Sequence, residues 1–279
     1  MIERWAYADV VGRALAEDLG TLGDVTTDAC IAEEALARAE MVARSAGVVA
    51  GLEVAAYVFE SIDPVSTLTP LVGDGDLVSP GQVIATVAGL ARSLLRAERT
   101  ALNLLGRMSG VATATALFVT AVEGTGARIS DTRKTMPGMR LLDKYSVLTG
   151  GGVNHRLGLF DAVLIKDNHI AASGGIESAV KAARERVGPD VMVEVEVENL
   201  EQLEVVLATE ADRVLLDNMD LETLRLAVEK TEGRVVTEAS GGVTLDNVRS
   251  IAATGVDIIS VGWITHSAPQ MDIALDFLA

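Results

Sequence analysis

Cysteine occurs once in the 279 residues, as Cys30, so no disulfide can form within the chain. That fits a reducing cytoplasm, the expected location. Aromatic residues make up only 3% of the chain, so aliphatic side chains must fill the core, as is common in α/β proteins. There are three histidines and no readable His/Cys ligand set, which argues against zinc. No uninterrupted apolar run approaches the roughly 20 residues of a membrane span. The opening MIERWAYADV lacks an apolar signal core. Positive charge is in deficit, with 23 Lys and Arg against 40 Asp and Glu and a net charge of -17. Such an excess of acid opposes binding to nucleic acid or anionic lipid, so neither partner is expected.

Against that acidic background one stretch is basic. Residues 99–166 hold nine Lys or Arg and four Asp or Glu. Its densest part, residues 131–169, reads DTRKTMPGMRLLDKYSVLTGGGVNHRLGLFDAVLIKDNH and includes His155 and His169. A local cationic segment in an acidic chain points to a built site for a small polyanion, not to a nucleic-acid face, which would need a whole basic surface.

The length allows one large domain or two ordinary ones, and 49% apolar residues allow a substantial core. Residues 8–20 read as a helix with Val11, Ala14, Leu15 and Leu19 on one face and Gly20 as its end. After it, GDVTTDACI leaves the helix. Residues 35–90 mix a strand-like MVARSAGVVAG, a helix-like EVAAYVFESI and short β-rich runs broken by Gly-Asp-Gly-Asp and Pro-Gly. Residues 91–121 carry a helical pattern with Arg92, Arg96, Arg99 and Asn103 in one stripe, and Gly106 and Gly110 predict a break near there. From about 127 the strand candidates ARISD, AVLIK, VMVEVEV, RVLLD, RVVTEAS and VDIISVG alternate with helix candidates. That succession predicts a parallel sheet with covering helices. A barrel and an open sheet both fit it. Polar residues at successive strand ends favour the barrel, where chemistry gathers at the carboxyl ends.

Within VMVEVEVEN the valines point one way and Glu194, Glu196 and Glu198 the other. One reading is an edge strand with a solvated acidic face. In a barrel the valines would instead meet the helices and the glutamates the interior, where a carboxylate needs a cation. Asp217 ends the next strand and could share a divalent ion with Glu196; two carboxylates beside a diphosphate suit Mg²⁺. Ser240-Gly241-Gly242 precedes the helix-like TLDNVRS, and Gly262 follows the last strand. Both fit backbone contact with a phosphate, though a lone SGG is often an ordinary turn. The Gly150–Gly152 run is either a flexible connection or a loop that brings His155 and Arg156 to a ligand. Arg133 and Lys134 add a cationic pair. Lys166, at a strand end, is read as an ammonium that binds an anion rather than a Schiff-base lysine, because a bound polyanion raises a lysine pKa. No Ser-His-Asp grouping can be read.

At these residues the chain resembles the quinolinate phosphoribosyltransferases, a family of type II phosphoribosyltransferases. The resemblance covers nearly the whole chain. It rests on EDLGTLGDVTT at 17–27, ERTALNLLGRMSGVAT at 98–113, the basic motif at 131–170, EVEVENLEQL at 194–203, LLDNM at 215–219, EASGG at 238–242 and GVDIISVGWITHS at 255–267. It implies an N-terminal α+β sandwich-like domain over residues 1–110, joined by a C-terminal tail at 267–279, and an incomplete parallel α/β barrel over 111–266. It implies Mg²⁺-dependent transfer of phosphoribose from phosphoribosyl pyrophosphate to quinolinate, giving nicotinate mononucleotide, pyrophosphate and CO₂ in NAD biosynthesis. It implies a homodimer with shared active sites, in which Arg99 enters the partner's site, and leaves room for a higher oligomer of dimers. Arg133, His155, Arg156 and Lys166 would line the quinolinate pocket, with Lys134 between the two ligands. Glu196 and Asp217 would serve Mg²⁺ and the ribose-diphosphate. Ser240, Gly241 and Gly262 would hold the 5′-phosphate. Lys134, Lys166, Glu196 and Asp217 are the expected catalytic set. Two alternatives are a related protein of molybdenum-transport operons and a barrel that binds a phosphorylated ligand without turnover.

Overall fold

The computed structural model of the chain describes residues 2–278. Its strands in chain order are β1 (Leu36–Ala43), β2 (Gly47–Val48), β3 (Thr67–Pro70), β4 (Leu77–Val78), β5 (Val83–Leu90) and β6 (Arg128–Ser130), then β7 (Val163–Ile165), β8 (Val193–Val197), β9 (Arg213–Asp217), β10 (Val236–Ser240), β11 (Ile258–Ser260) and β12 (Ile273–Phe277). The chain divides into two compact units. One comprises residues 2–116, 135–151 and 264–278; the other comprises 117–134 and 152–263.

The first unit is built on an antiparallel sheet in the order β12-β1-β5-β3. The tail strand β12 pairs with β1, Met41 opposite Leu275. In β1, which lies between β12 and β5, Ala39, Met41 and Ala43 are fully buried. The helix Ala8–Leu19 ends at Gly20, whose φ of 51° lies in the left-handed region that glycine adopts without cost. The stretch that follows leaves this helix, as expected, and forms a separate short helix, Val25–Cys30, which Asp24 caps by accepting the Thr27 N–H at 3.0 Å.

The expected break near Gly106 and Gly110 does not occur: the helix runs unbroken over Ala91–Ala121. The glycines are there for close approach. A Cβ on Gly110 would lie 2.1 Å from the Pro269 carbonyl oxygen, and one on Gly106 would lie 2.8 Å from that of Met271. The tail enters here, with the Met271 N–H donating to the Gly106 carbonyl at 3.0 Å. This helix is long and apolar enough to cross a membrane by length and composition, and 61% of its apolar window is buried within the protein.

The second unit is a six-stranded parallel sheet in the order β6-β11-β10-β9-β8-β7, with helices between the strands. With the N-terminal antiparallel sheet, this is the architecture of a partial α/β barrel preceded by an α+β domain. All six strands read from the sequence are present. The strand β8 is internal, paired with β7 and β9, which excludes an acidic edge strand. Val193, Val195 and Val197 are fully buried, and each contributes roughly 1.5–3 kcal/mol by leaving water. Glu194 is fully buried among the side chains of the opposite face.

Candidate active site

Parallel strands set successive side chains at one end of the sheet, so residues distant in sequence become neighbours by register. Ser240 of β10 lies opposite Asp217 of β9, and Glu196 of β8 lies opposite Leu215 of β9. Lys166 follows β7 and pairs with the Glu196 carboxylate. Lys166, Glu196, Asp217 and Ser240 therefore lie at or within one residue of the ends of four neighbouring strands. Gly262 follows β11 closely and is half-buried.

Two of the expected cations gather here. Burial lowers the Arg156 pKa, and the nearby positive charge of Arg133 lowers it further, against the opposing pull of Glu194 and Asp161. Two guanidiniums held near one another in a half-buried setting favour an anion between them. The loop that carries Arg156 is tied down rather than flexible. Its Nη1 donates to the Ala162 carbonyl at 3.1 Å, and Asp161 accepts the N–H groups of Leu157 and Gly158 at 2.6 and 2.8 Å.

His155 lies deeper. Its backbone N–H donates to Asp131 at 2.8 Å. Its Nε2 faces Glu194 at 3.0 Å and Glu238 at 3.4 Å, and its Nδ1 accepts the Arg156 N–H at 2.8 Å. Burial opposes a charged ring, but hydrogen bonds and charges from Glu194 and Glu238 outweigh it and raise the His155 pKa to about 9. The Nδ1 contact opposes a second ring proton, because an accepting nitrogen must be bare. Burial also raises the Glu194 pKa. We therefore place the ring as the Nε2–H tautomer and the extra proton on Glu194; the titration belongs to the pair. Burial works to raise the Glu238 pKa as well. The His155 hydrogen bond, the Ser260 hydroxyl and Arg213, 3.1 Å away, outweigh it and hold that carboxyl low.

The glycine sites need one correction. The helix Val248–Ala252 begins well after Gly242, and a turn held by Thr244 N–H donating to Asn247 at 2.8 Å intervenes. A helix dipole therefore does not act directly at Ser240-Gly241-Gly242. The backbone itself does the shaping. Gly241 and Gly242 have φ of 97° and 58°, and a Cβ on Gly241 would meet Asn218 Oδ1 at 2.1 Å. Without a side chain at Gly241 the backbone of this turn stays open to close approach, the property a phosphate contact needs.

Arg99 and Lys134 are both exposed. Arg99 lies on the helix Ala91–Ala121 of the first unit, 3.9 Å from Glu98. Its stripe neighbours Arg92 and Arg96 serve the fold instead. Arg92 donates to the Ile31 carbonyl at 2.8 Å, and Arg96 pairs with Asp28. The Lys134 N–H donates to Thr132 at 3.0 Å. Glu194, Glu238, Arg213 and Ser260 are members of the buried network that the sequence did not single out as a site. The Val/Glu alternation was the available signal, since it turned Glu194 inward with Glu196.

Glu196 and Asp217 fit a magnesium ion by donor type. Both are hard oxygen donors on neighbouring strand ends, and Mg²⁺ commonly takes one or two carboxylates and completes its shell with water and substrate phosphate.

Comparison with known proteins identifies the family. The family described as quinolinate phosphoribosyl transferase, N-terminal domain, matches residues 24–109, and its C-terminal domain matches residues 111–276. A nicotinate-nucleotide pyrophosphorylase [carboxylating] of Mycobacterium leprae is 47% identical over 97% of both chains. A probable enzyme of the same name from Bacillus subtilis is 44% identical over 93% of this chain and 89% of its own. The crystal structure of NadC from Streptococcus pyogenes superposes with a TM-score of 0.96 at 37% identity, covering 100% of this chain and 99% of its own. On both domain matches and on relatives of nearly equal length, the chain belongs to the quinolinate phosphoribosyl transferase family.

Proposed function

We propose that this protein transfers phosphoribose from phosphoribosyl pyrophosphate to quinolinate and releases CO₂, forming nicotinate mononucleotide for NAD biosynthesis. The observation that carries the reading is the pair of neighbouring guanidiniums, Arg133 and Arg156, at the end of a sheet whose other strand ends supply Lys166, Glu196, Asp217 and Ser240. A planar pyridine dicarboxylate matches two guanidinium forks and an ammonium. The relatives' names support the same substrate.

The reaction needs no protein nucleophile. Arg133, Arg156 and Lys166 bind and orient the dicarboxylate, His155 lines the pocket from below, and Lys134 lies between the ligands. Ser240, Gly241 and Gly262 hold the 5′-phosphate, which places the anomeric carbon against the pyridine nitrogen. The nitrogen lone pair forms the N–C bond as the carbon–oxygen bond to pyrophosphate breaks. The ring nitrogen becomes cationic. Loss of the adjacent carboxylate as CO₂ leaves its electron pair on the ring carbon, which then takes up a proton. Positioning and neutralisation of charge supply most of the acceleration. A magnesium ion held by Glu196 and Asp217 would neutralise the departing diphosphate. The Lys166 pairing with Glu196 fits this arrangement, because a ligand and an ion entering together could exchange partners with that pair.

The test is incubation with quinolinate, phosphoribosyl pyrophosphate and Mg²⁺. Nucleotide, pyrophosphate and CO₂ should appear in equal amounts, and EDTA should stop all three until Mg²⁺ is restored. Full turnover in metal-free buffer would remove the metal from the reading, and no turnover with Mg²⁺ would remove the reading itself.

The assembly is proposed as a cytoplasmic homodimer with shared sites. The exposed Arg99, 3.9 Å from Glu98, supports a cation donated to a second copy. Mixing Arg99→Ala subunits with Lys166→Ala subunits, each nearly inactive, should restore activity in proportion to mixed dimers. Confirmed subunit exchange with no recovery would refute the shared site.

A further inference from the structure

The His155 ring is engaged at both nitrogens. Nε2 faces Glu194 at 3.0 Å and Glu238 at 3.4 Å; Nδ1 receives the Arg156 N–H at 2.8 Å. Glu238 is itself fixed from two sides, by Arg213 at 3.1 Å and by the Ser260 hydroxyl. Both glutamates are fully buried and come from the interior faces of β8 and β10. The result is a chain of contacts from the sheet interior to the backbone of the loop that carries Arg156.

The ligand atoms of His155, Glu194 and Glu238 lie within 4.8 Å of one another, close enough for an ion. Arg213 already occupies one side of Glu238, so a dication there would face a guanidinium at short range. The cluster instead holds the ring by close approach of two carboxylates to Nε2, one of them fixed by Arg213 and the Ser260 hydroxyl, and needs no ion to do so.

We propose that Glu194 and Glu238 are positioning residues that act through His155. By holding Nε2 they turn Nδ1 toward the Arg156 N–H and so fix the Arg156 loop in the geometry that receives the substrate's carboxylates. His155 on this account contributes orientation, and Arg156 contributes the charge. The proposal rests on the quinolinate reading for its kinetic consequence but not for its structural one. A misplacement of about 1 Å in such a loop is sufficient to cost up to 10²-fold.

Two variants separate shape from charge. Glu194→Gln keeps an oxygen that accepts the Nε2–H; Glu194→Leu keeps bulk and removes the acceptor. Glu194→Leu should raise the KM for quinolinate roughly tenfold or more while the KM for phosphoribosyl pyrophosphate stays within about twofold, and Glu194→Gln should restore the quinolinate KM to within about threefold of the parent. An unchanged quinolinate KM in a folded Glu194→Leu overturns the proposal, as does an equal loss in both variants. A parent protein that does not turn over quinolinate would instead sink the functional reading. A second measurement needs neither activity nor a variant that folds. The ¹⁵N shifts of the His155 ring in the parent, assigned against His169 and His266, should show Nε2 protonated and Nδ1 bare at neutral pH. A protonated Nδ1 overturns the proposal.

Discussion

In the first unit the buried Arg107 guanidinium lies 3.0 Å from Asp143 and also donates to the Thr265 carbonyl; Asp143 in turn accepts the Met136 N–H at 3.1 Å. Cation and anion are matched one to one. In the second unit Arg133 and Arg156 lie close enough to depress the Arg156 pKa, after burial, and two glutamates converge on one imidazole. The first arrangement is complete without a ligand. The second sets two guanidiniums near each other, which suits the anionic substrate proposed above. Like charges held together at a strand-end site indicate binding, whereas a satisfied ion pair indicates only that the fold tolerates buried charge.

That contrast can be broken most forcefully at Arg107. Arg107→Ala would leave Asp143, 1% exposed, without its cation. The cost should be about 3–5 kcal/mol of unfolding free energy, read by denaturant titration. A loss under about 1 kcal/mol would mean that the pair is not the closed unit described here. Arg133→Ala should behave in the opposite way. Removing one of two like charges should change stability by no more than about 1 kcal/mol, while kcat/KM for quinolinate falls about 10²-fold, the equivalent of about 2.7 kcal/mol. A folded but markedly less stable variant, down by more than about 2 kcal/mol, that keeps the parent kcat/KM for quinolinate would reverse the assignment.

A smaller effect comes from the proton shared by His155 and Glu194. The folded pKa of about 9 lies above the ordinary 6.5. A raised pKa means that the folded state holds the proton more tightly, so its stabilisation is complete below about pH 6.5 and is lost as pH rises through about 9. Thermal melts of the parent and of His155→Gln should therefore differ most near pH 6 and converge toward pH 9.5, at about 2–4 °C for each kcal/mol. A constant gap across that range would separate the histidine from the pH response.

Much of the second unit was legible because its strands are short, bounded and apolar on one face, and because the alternation in VMVEVEV fixes which face carries the acids. Register then determines which strand ends are neighbours, and that needs the folded sheet. The alternation turns Glu194 inward but cannot show that it meets His155, which comes from a loop well upstream. The first unit was harder to read. Gly106 and Gly110 carry a helix-breaking propensity that packing overrides, since the tail backbone occupies the space a side chain would fill. The helix Arg140–Thr149 passed unnoticed for a different reason. Arg140 and Lys144 drew it into the basic motif, whereas Leu142, Asp143, Lys144, Ser146 and Val147 are buried in the fold.

The central claim is that the second unit's neighbouring cations are there for a dicarboxylate. Its most direct test is the ratio of kcat/KM for quinolinate to that for nicotinate, which lacks one carboxylate, measured on the parent protein with saturating phosphoribosyl pyrophosphate and Mg²⁺. Losing one charge-assisted contact at about 1.5–3 kcal/mol predicts a preference for quinolinate of at least about tenfold and up to 10²-fold. Equal use of nicotinate would contradict the account.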